Sequence, residues 1–246
     1  FLVLQQRKIV PYVSTKGRVV IMAFFLFIAL AFQWYTLTYL PVADCLPFKK
    51  GNNLINEMKV PPGSRPDSFA IRFIYKKEGK DYEFSPSTFP PDLDKYTYVE
   101  RIDKLIQKGN SEPAIKGFSL IGNSETDSTQ AILSLDNALL LFYLKQPPNL
   151  NWKDDLAQIV GWAKRNNIPI YVTTSTKNEA METMDENGFS AIPFYTADVT
   201  IIRTASRTPL TLYYLQKGTV VNKWSNATFK NVIPFLQKNY STNLIK

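Results

Sequence analysis

The feature that most constrains this chain is an uncharged stretch near its start. Residues 19–40 contain no charged side chain, and residues 19–32 (VVIMAFFLFIALAF) contain no polar one. About 20 apolar residues in a helix cross a hydrocarbon core of roughly 30 Å. We therefore predict a transmembrane helix over residues 19–40, which ends at Pro41 because proline has no backbone N–H to continue it.

Basic residues on one side of the stretch predict its orientation. Four of the 29 Lys and Arg residues lie within residues 1–18, whereas the first acidic residue is Asp44. The positive-inside rule places residues 1–18 in the cytoplasm and the chain after Pro41 outside. We expect residues 1–18 to be the cytoplasmic end of a preceding membrane helix and its loop. The predicted location is the bacterial cytoplasmic (inner) membrane, with the C-terminal part in the periplasm.

Three other interpretations of the apolar stretch compete with a transmembrane helix. A cleaved signal peptide has a shorter apolar core and a small-residue cleavage site, whereas Trp34, Tyr35 and Tyr39 are bulky. A lipoprotein anchor at Cys45 requires a small residue before the cysteine, but Asp44 stands there. A buried helix of a soluble protein would expose the basic residues before it. The membrane span is therefore the favoured interpretation.

The amino-acid composition excludes several kinds of chemistry. The chain has no His and a single Cys, Cys45. Ser-His-Asp and Cys-His catalysis, the usual zinc sites and a CxxC redox pair all require residues that are missing. We predict no metal site, no cofactor and no catalytic residue. The formal charge of +8 does not indicate a nucleic-acid partner, because half of the excess lies beside the membrane segment.

The pattern after residue 40 divides the exported part in two. Residues 41–67 are rich in Pro, Gly and Asn, and residues 41–111 form a predicted linker. Within this linker, residues 68–84 alternate apolar and polar side chains around a charged turn, which predicts a β-hairpin. Residues 96–106 have the character of a strand or a short helix. Residues 112–246 form a second region in which strands and helices alternate.

This second region has the pattern of an α/β domain. Residues 139–144 (LLLFYL) are a continuous apolar run, as expected of a strand covered on both faces. The predicted strands are 139–144, 170–174, 192–195, 210–215 and 219–224, and the predicted helices are 154–166, 177–187 after Ser175 as cap, 198–205, and 226 or 228 to about 240. Strand and helix alternation followed by a hairpin and a helix indicates a parallel βαβ crossover with one antiparallel edge.

This order of elements, with Thr208-Pro209 before the penultimate strand, resembles the thioredoxin fold, especially its TlpA and peroxiredoxin-like branch. Residues 112–120 (EPAIKGFSL) are similar to the P-x-F-x-L entry strand of that branch. Residues 192–195 (IPFY) are similar to its inserted strand. The resemblance implies a thioredoxin-like domain and a cis-proline at Pro209.

The chain as a whole resembles the C-terminal part of the DoxX-family membrane proteins of Bacteroidetes, which join a four-helix membrane unit to an exported thioredoxin-like domain. The matching stretches are residues 39–44, 47–51, 73–76, 82–84, 170–175 and 217–225. The resemblance implies that residues 19–40 are the last membrane helix and that Phe1 lies in the previous one.

A redox-active thioredoxin fold holds its thiolate just after the first core strand, at a helix N-terminus that lowers the pKa of the thiol. In this chain that place is residues 145–152 (KQPPNLNW), which contain no sulfur. We therefore predict that the domain performs no thiol-disulfide exchange or peroxide reduction by itself. Cys45 is the one possible reactive thiol, and it is either inert or able to form a mixed disulfide with a partner.

These features predict a membrane-anchored, non-catalytic interaction or scaffold module, an accessory subunit of a cell-envelope complex. Its expected partners are membrane lipid and other envelope or membrane proteins, with Arg207, Thr208 and Pro209 as a predicted peptide-binding groove. The alternative is a DoxX-type redox-associated membrane protein that acts with cysteines of upstream helices or of a partner. A third hypothesis is carbohydrate or small-ligand binding on the hairpin at residues 68–84. No specific group of side chains supports it.

Overall fold

The computed structural model describes residues 14–148 and 151–243. The described chain divides into two compact units, of which residues 53–118 form one and the remaining described residues form the other. Most of the predicted cytoplasmic segment, residues 1–13, lies outside the described residues.

The first element is the long helix α1, Thr15–Thr38. It begins where the Ser14 side chain accepts a hydrogen bond from the Gly17 N–H at 3.2 Å. Its apolar side chains are not covered by the rest of the chain; Phe27, for example, is 71% exposed. Among the described residues, α1 alone is long and apolar enough to cross a membrane. The predicted N-terminal apolar helix is therefore confirmed.

The unit of residues 53–118 contains one short helix and a three-stranded antiparallel sheet. Its elements are α2 (Leu54–Glu57), β1 (Ser68–Lys77), β2 (Lys80–Phe84) and β3 (Thr97–Gln107). The predicted hairpin is β1 and β2, joined at Glu78 and Gly79, whose φ angles are 51° and 78°. Positive φ at both turn residues is what a tight hairpin requires. The region at 96–106 is a strand, and it pairs with β1 on the side away from β2.

The second unit contains a five-stranded mixed sheet with helices packed against it. Its elements after α1 are α3 (Thr129–Leu133), β4 (Ala138–Tyr143), α4 (Trp152–Arg165), β5 (Ile170–Thr174), α5 (Lys177–Glu186), β6 (Phe194–Thr196), α6 (Val199–Ala205), β7 (Leu210–Gln216), β8 (Thr219–Ser225) and α7 (Val232–Asn243). The strand order is β6-β5-β4-β7-β8. Strands β4, β5 and β6 are parallel, whereas β7 is antiparallel to both β4 and β8.

This connectivity is that of a thioredoxin-like domain. A parallel β4-α4-β5 unit is followed by a β7-β8-α7 unit, and β4 and β7 meet at the centre of the sheet. Strand β6 and helix α6 are inserted between the two units. All six residues of β4 are buried, which is the reason for its continuous apolar run. The predicted fold class, α/β with a thioredoxin-like domain and an N-terminal apolar helix, is confirmed.

The prediction of an entry strand at residues 112–120 is wrong. Gly117 has a φ of 67°, which interrupts an extended chain, and the Leu120 N–H donates to the Thr129 hydroxyl at 2.7 Å instead of to a neighbouring strand. Two isolated bridges follow in the described chain, from Ile121 to Asp127 and from Ile121 to Thr196. These residues therefore form an irregular connection rather than a sheet strand.

Two helix starts also differ from prediction. Helix α5 follows Thr176 rather than Ser175, and the Thr176 side chain makes no capping bond. Residues Asn226–Asn231 form a 3₁₀ helix, and α7 begins only at Val232. Pro234 therefore lies in the first turn of α7, where its missing N–H leaves no helical hydrogen bond unmade.

Candidate functional site

The loop between β4 and α4 is where a redox-active thioredoxin fold carries its reactive sulfur. Its described residues include Pro147 and Pro148, whereas Asn149 and Leu150 lie outside the described residues. The single cysteine of the chain is Cys45, which follows α1. The first residue of α4 is Trp152, whose side chain is only 1% exposed. The reactive position of the fold is therefore followed by a large buried aromatic ring, in a loop without a thiol.

The segment that precedes β7 faces this loop and contains the three residues of the predicted groove. Arg207 is exposed, whereas Thr208 and Pro209 are buried. The Thr208 hydroxyl donates to the Leu210 carbonyl at 2.7 Å, and the Thr208 carbonyl accepts from the Ser206 hydroxyl at 2.8 Å. Both polar groups of Thr208 are thus used within the domain, so Thr208 fixes the segment while its two neighbours remain candidates for contact with a partner.

The peptide bond before Pro209 is trans, which corrects the expectation of a cis-proline. The Pro209 carbonyl accepts hydrogen bonds from the N–H groups of Leu144 and Lys145, at 2.9 and 3.4 Å. The backbone on the C-terminal side of the proline is therefore bound to the loop that follows β4. In this arrangement the Thr208 carbonyl accepts its hydrogen bond inside the protein, from the Ser206 hydroxyl.

A cavity of about 220 Å³ lies at the N-terminal end of α4, and we call it the Trp152 cavity. Its lining combines the loop after β4, the start of α4, the segment before β7, the 3₁₀ helix after β8 and the end of α1. The lining residues are Leu37, Thr38, Pro148, Asn151, Trp152, Asp155, Pro209, Asn226 and Ala227. Pro209 is the only one of the three predicted groove residues in this lining.

Two residues of the cavity lining each have a buried side-chain atom that has no hydrogen-bond partner within the described chain. The two atoms are the indole Nε1 of Trp152 and the side-chain Oδ1 of Asn226. A buried polar atom without a partner costs about 1–3 kcal/mol. One atom is a donor and the other an acceptor, so together they match an amide group, which offers one carbonyl and one N–H. The residues that line the Trp152 cavity therefore carry one donor and one acceptor that are not used within the described chain.

A second cavity, of about 360 Å³, lies beside the end of α1, and we call it the Cys45 cavity. Arg207 and Cys45 both line it, together with Tyr35, Tyr39 and Asp44. The structure thus brings together two predicted site residues that are far apart in sequence. Arg207 and Pro209 line different cavities.

Asp44 is the acidic residue of the Cys45 cavity. Burial raises the pKa of its carboxyl group, but hydrogen bonds from the Lys223 ammonium and the Leu46 N–H, together with the positive charge of Lys223, outweigh burial and hold the pKa below its ordinary value. The charge of Arg207 acts in the same direction. Asp44 is therefore ionised at neutral pH and compensates part of the positive charge around the cavity.

No three His, Cys, Asp or Glu side chains within residues 14–148 and 151–243 are grouped so that they could share a metal ion. The lining of the Trp152 cavity offers hydrogen-bonding groups and the Asp155 carboxylate. The lining of the Cys45 cavity offers one thiol, one carboxylate, one guanidinium group and two tyrosine hydroxyls.

Sequence reasoning did not identify Trp152 or Asn226 as functional residues. Trp152, Trp162 and Trp224 are 1%, 7% and 6% exposed, as expected of tryptophans in a core or at its rim. A tryptophan at the first position of a helix, directly after the loop of a reactive site, is the signal that was available. No sequence signal connected it to Asn226.

Comparison with known proteins gives a family match for the smaller sheet. Residues 69–108 match the family described as "Domain of unknown function (DUF8463)", a range that contains almost all of β1 and the whole of β2 and β3. No curated protein sequence matches the chain.

Several solved structures are similar to about half of the chain. A cysteine-to-serine mutant of peroxiredoxin Q from Xanthomonas campestris is 16% identical, with 50% of this chain and 89% of that chain covered and a TM-score of 0.36. A domain of a possible thiol-disulfide isomerase from Cytophaga hutchinsonii is 14% identical, with 52% and 91% covered and a TM-score of 0.36. A thiol:disulfide interchange protein from Bacteroides sp. is 11% identical, with 49% and 86% covered and a TM-score of 0.38. The strand order and strand directions, rather than these alignments, define the fold of the domain.

Proposed function

We propose that this protein is a membrane-anchored interaction module whose thioredoxin-like domain binds a partner without thiol chemistry. The observation that carries the proposal is the Trp152 cavity. Two of its lining residues have a side-chain atom without a partner in the described chain: the indole N–H of Trp152, which follows the reactive loop of the fold, and the amide oxygen of Asn226. Such a pair binds a polar group by hydrogen bonding, whereas disulfide exchange requires a thiolate as nucleophile.

The expected ligand of the Trp152 cavity is a peptide segment of another envelope or membrane protein. A peptide group satisfies the Trp152 donor and the Asn226 acceptor at once, which removes the cost of two unpaired buried atoms. Pro209 contributes an apolar wall to the same cavity. Arg207 is exposed two residues earlier, and in this proposal it contacts the same partner outside the cavity.

The membrane anchor of the proposal is α1. Its length and its uncovered apolar side chains suit a lipid environment, so membrane lipid is the first expected partner. The charge pattern around α1 favours the outer face of the cytoplasmic membrane as the place where the domain works. In that place the protein would act as an accessory subunit of a cell-envelope complex, in keeping with its resemblance to DoxX-family proteins.

Site-specific crosslinking in cells that produce the protein naturally tests this function. A photo-crosslinking amino acid replaces Ala227, which lines the Trp152 cavity, and in a matched control it replaces Lys164, at the far end of α4. We expect a discrete crosslinked partner from position 227 that is absent from position 164. The partner should be lost on Asn226→Ala or Arg207→Ala with no change in melting temperature. Equal crosslinking from both positions, or none from 227, would contradict the proposal.

An activity measurement distinguishes the redox alternative from the proposed interaction module. The purified full chain in mild detergent is supplied with dithiothreitol and either insulin or hydrogen peroxide. We expect no turnover above that of the Cys45→Ser variant. Turnover that depends on Cys45 would replace the interaction module with a redox protein that uses this thiol.

A further inference from the structure

The strand β3 is a long and uncovered sheet edge. It lies at the end of the sheet order β2-β1-β3, and all of its residues, Thr97–Gln107, are exposed. Only β1 pairs with it in the described chain, so one row of its backbone N–H and C=O groups has no strand partner. Such an edge is a template for pairing with another strand.

The regular part of the β3 ladder is Glu100–Leu105, which pairs residue by residue with Ile74–Phe69 of β1. Irregularities in the ladder lie on either side of it, next to Val99 and Ile106. The sequence from 100 to 104 is Glu-Arg-Ile-Asp-Lys. Read backwards, the same stretch is Lys-Asp-Ile-Arg-Glu. Each acidic residue is then replaced by a basic one and each basic residue by an acidic one, while the central isoleucine stays in place.

We propose that a second copy of this chain pairs with β3 in antiparallel orientation, about a two-fold axis at Ile102. In this register Glu100 lies opposite Lys104 of the second copy and Arg101 lies opposite Asp103 of the second copy. By symmetry the same two pairs form again on the other side of the axis. Opposite charges placed directly across antiparallel strands stabilise the pairing.

Other registers are disfavoured by the same side chains. A shift of one residue places Glu100 opposite Asp103 or Arg101 opposite Lys104, which are like charges. A shift of two residues places Arg101 opposite Arg101 or Asp103 opposite Asp103. In-register parallel pairing places every charge opposite its own copy. Since like charges across strands are destabilising, the register centred on Ile102 is favoured over these neighbouring registers and over in-register parallel pairing.

The side chains that flank the charged stretch suit the same contact. Tyr98, Val99, Leu105 and Ile106 are 53%, 49%, 45% and 67% exposed. Antiparallel pairing about Ile102 brings the Tyr98 and Val99 end of one copy near the Leu105 and Ile106 end of the other. Apolar surface at both ends of the strand would then be covered.

The existing ion pair on β3 fits the assembly. Arg101 Nε lies 2.7 Å from an Asp103 carboxylate oxygen on the same strand, and both side chains are about half exposed. In the proposed pairing, this ion pair and its copy lie side by side on one face of the sheet, and each arginine has an aspartate on both strands. A network of this kind contributes more than an isolated surface pair.

Charge-swap variants of the full chain in mild detergent test the proposal, with molar mass measured by size-exclusion chromatography and light scattering. We expect the unmodified chain to be a dimer. Lys104→Glu places Glu100 opposite a glutamate and Glu100→Lys places Lys104 opposite a lysine, so each variant alone should be a monomer. Their equimolar mixture restores all opposite-charge pairs and should form a heterodimer. The matched control is Lys80→Glu on β2, the other edge of the same sheet, which should remain dimeric.

The proposal would be overturned if the unmodified chain were a monomer. It would also be overturned if both charge-swap variants remained dimers, because α1 or another surface would then hold the copies together. A crosslink gives an independent measurement. With Ile102→Cys in a Cys45→Ser background, mild oxidation should yield a covalent dimer, whereas Tyr82→Cys in the same background should not. Crosslinking through position 82 but not 102 would place the contact elsewhere.

Discussion

The carboxylate of Asp44 and the ammonium group of Lys223 form an ion pair whose side chains are only 15% and 10% exposed. Asp44 lies in the segment that follows α1, and Lys223 lies in β8, at the edge of the five-stranded sheet. Near this pair, the Gly51 N–H donates to the Val220 carbonyl at 2.8 Å. The segment after α1 is therefore fastened to the sheet by a buried ion pair and by backbone hydrogen bonds.

Asp44→Asn should lower the free energy of unfolding by about 1–3 kcal/mol at neutral pH, because it leaves the partly buried Lys223 ammonium without its charged partner. Urea unfolding of the full chain in detergent, followed by tryptophan fluorescence, measures this loss. The control is Asp44→Asn combined with Lys223→Met, which removes both charges and should be less destabilised than Asp44→Asn alone. A double variant that is less stable than the single one would contradict this account of the pair.

The same ion pair predicts a pH dependence. The pKa of Asp44 in the folded protein lies below its ordinary value of 3.8, so the folded state holds the ionised form more strongly than the unfolded state does. The stabilisation is complete at pH values well above 3.8 and is lost as the pH falls through the folded pKa. The stability difference between the unmodified chain and Asp44→Asn should therefore shrink in acid. A difference that stays constant from pH 7 to pH 3 would exclude this linkage.

The hydrogen bonds around Thr208 predict a cost for removing its hydroxyl. In Thr208→Val the Leu210 carbonyl loses a donor, and the Thr211 hydroxyl, 3.0 Å away, loses a partner in a buried site. We expect a loss of about 1–3 kcal/mol in the free energy of unfolding. Thr204→Val is the control, because the Thr204 hydroxyl donates to the Thr200 carbonyl in an exposed position and its loss should change stability by less than about 0.5 kcal/mol.

Much of the thioredoxin-like domain could be predicted from the sequence because its signals are local. The buried strand β4 is a continuous apolar run, and the predicted strand at residues 170–174 coincides with β5. The Lys217-Gly218 turn has positive φ at both residues, 46° and 77°, as its sequence suggests for a hairpin. Each of these features depends on a few consecutive residues.

The candidate site could not be predicted because it depends on residues that are distant in sequence. Trp152 and Asn226 share a cavity only because the β7-β8 hairpin brings the chain back to the start of α4. Asp44 and Lys223, which are 179 positions apart, gave no pattern that connects them. The isomer of the bond before Pro209 is likewise not fixed by the sequence, since Thr208-Pro209 is compatible with either isomer.

The exposure of Cys45 makes the proposed membrane orientation measurable. A membrane-impermeant maleimide applied to intact spheroplasts should label Cys45 without detergent, because the residue follows α1 on the predicted outer side. In the matched control, Ser14→Cys in a Cys45→Ser background should be labelled only after permeabilisation, since Ser14 lies at the opposite end of α1. The reverse pattern would invert the orientation, and labelling of both positions in intact spheroplasts would argue against a span.

The unpaired indole N–H of Trp152 predicts a spectroscopic response to a simple amide. In a spectrum of ¹⁵N-labelled protein in detergent, the Trp152 resonance is identified by its disappearance in Trp152→Phe. Titration with N-methylacetamide should move this resonance downfield, because a carbonyl oxygen then accepts from Nε1. Asn226→Ala should weaken the response, since the N–H of the probe loses its acceptor. The resonances of Trp162 and Trp224 serve as internal controls, and a Trp152 shift no larger than theirs would mean that the cavity does not recognise an amide.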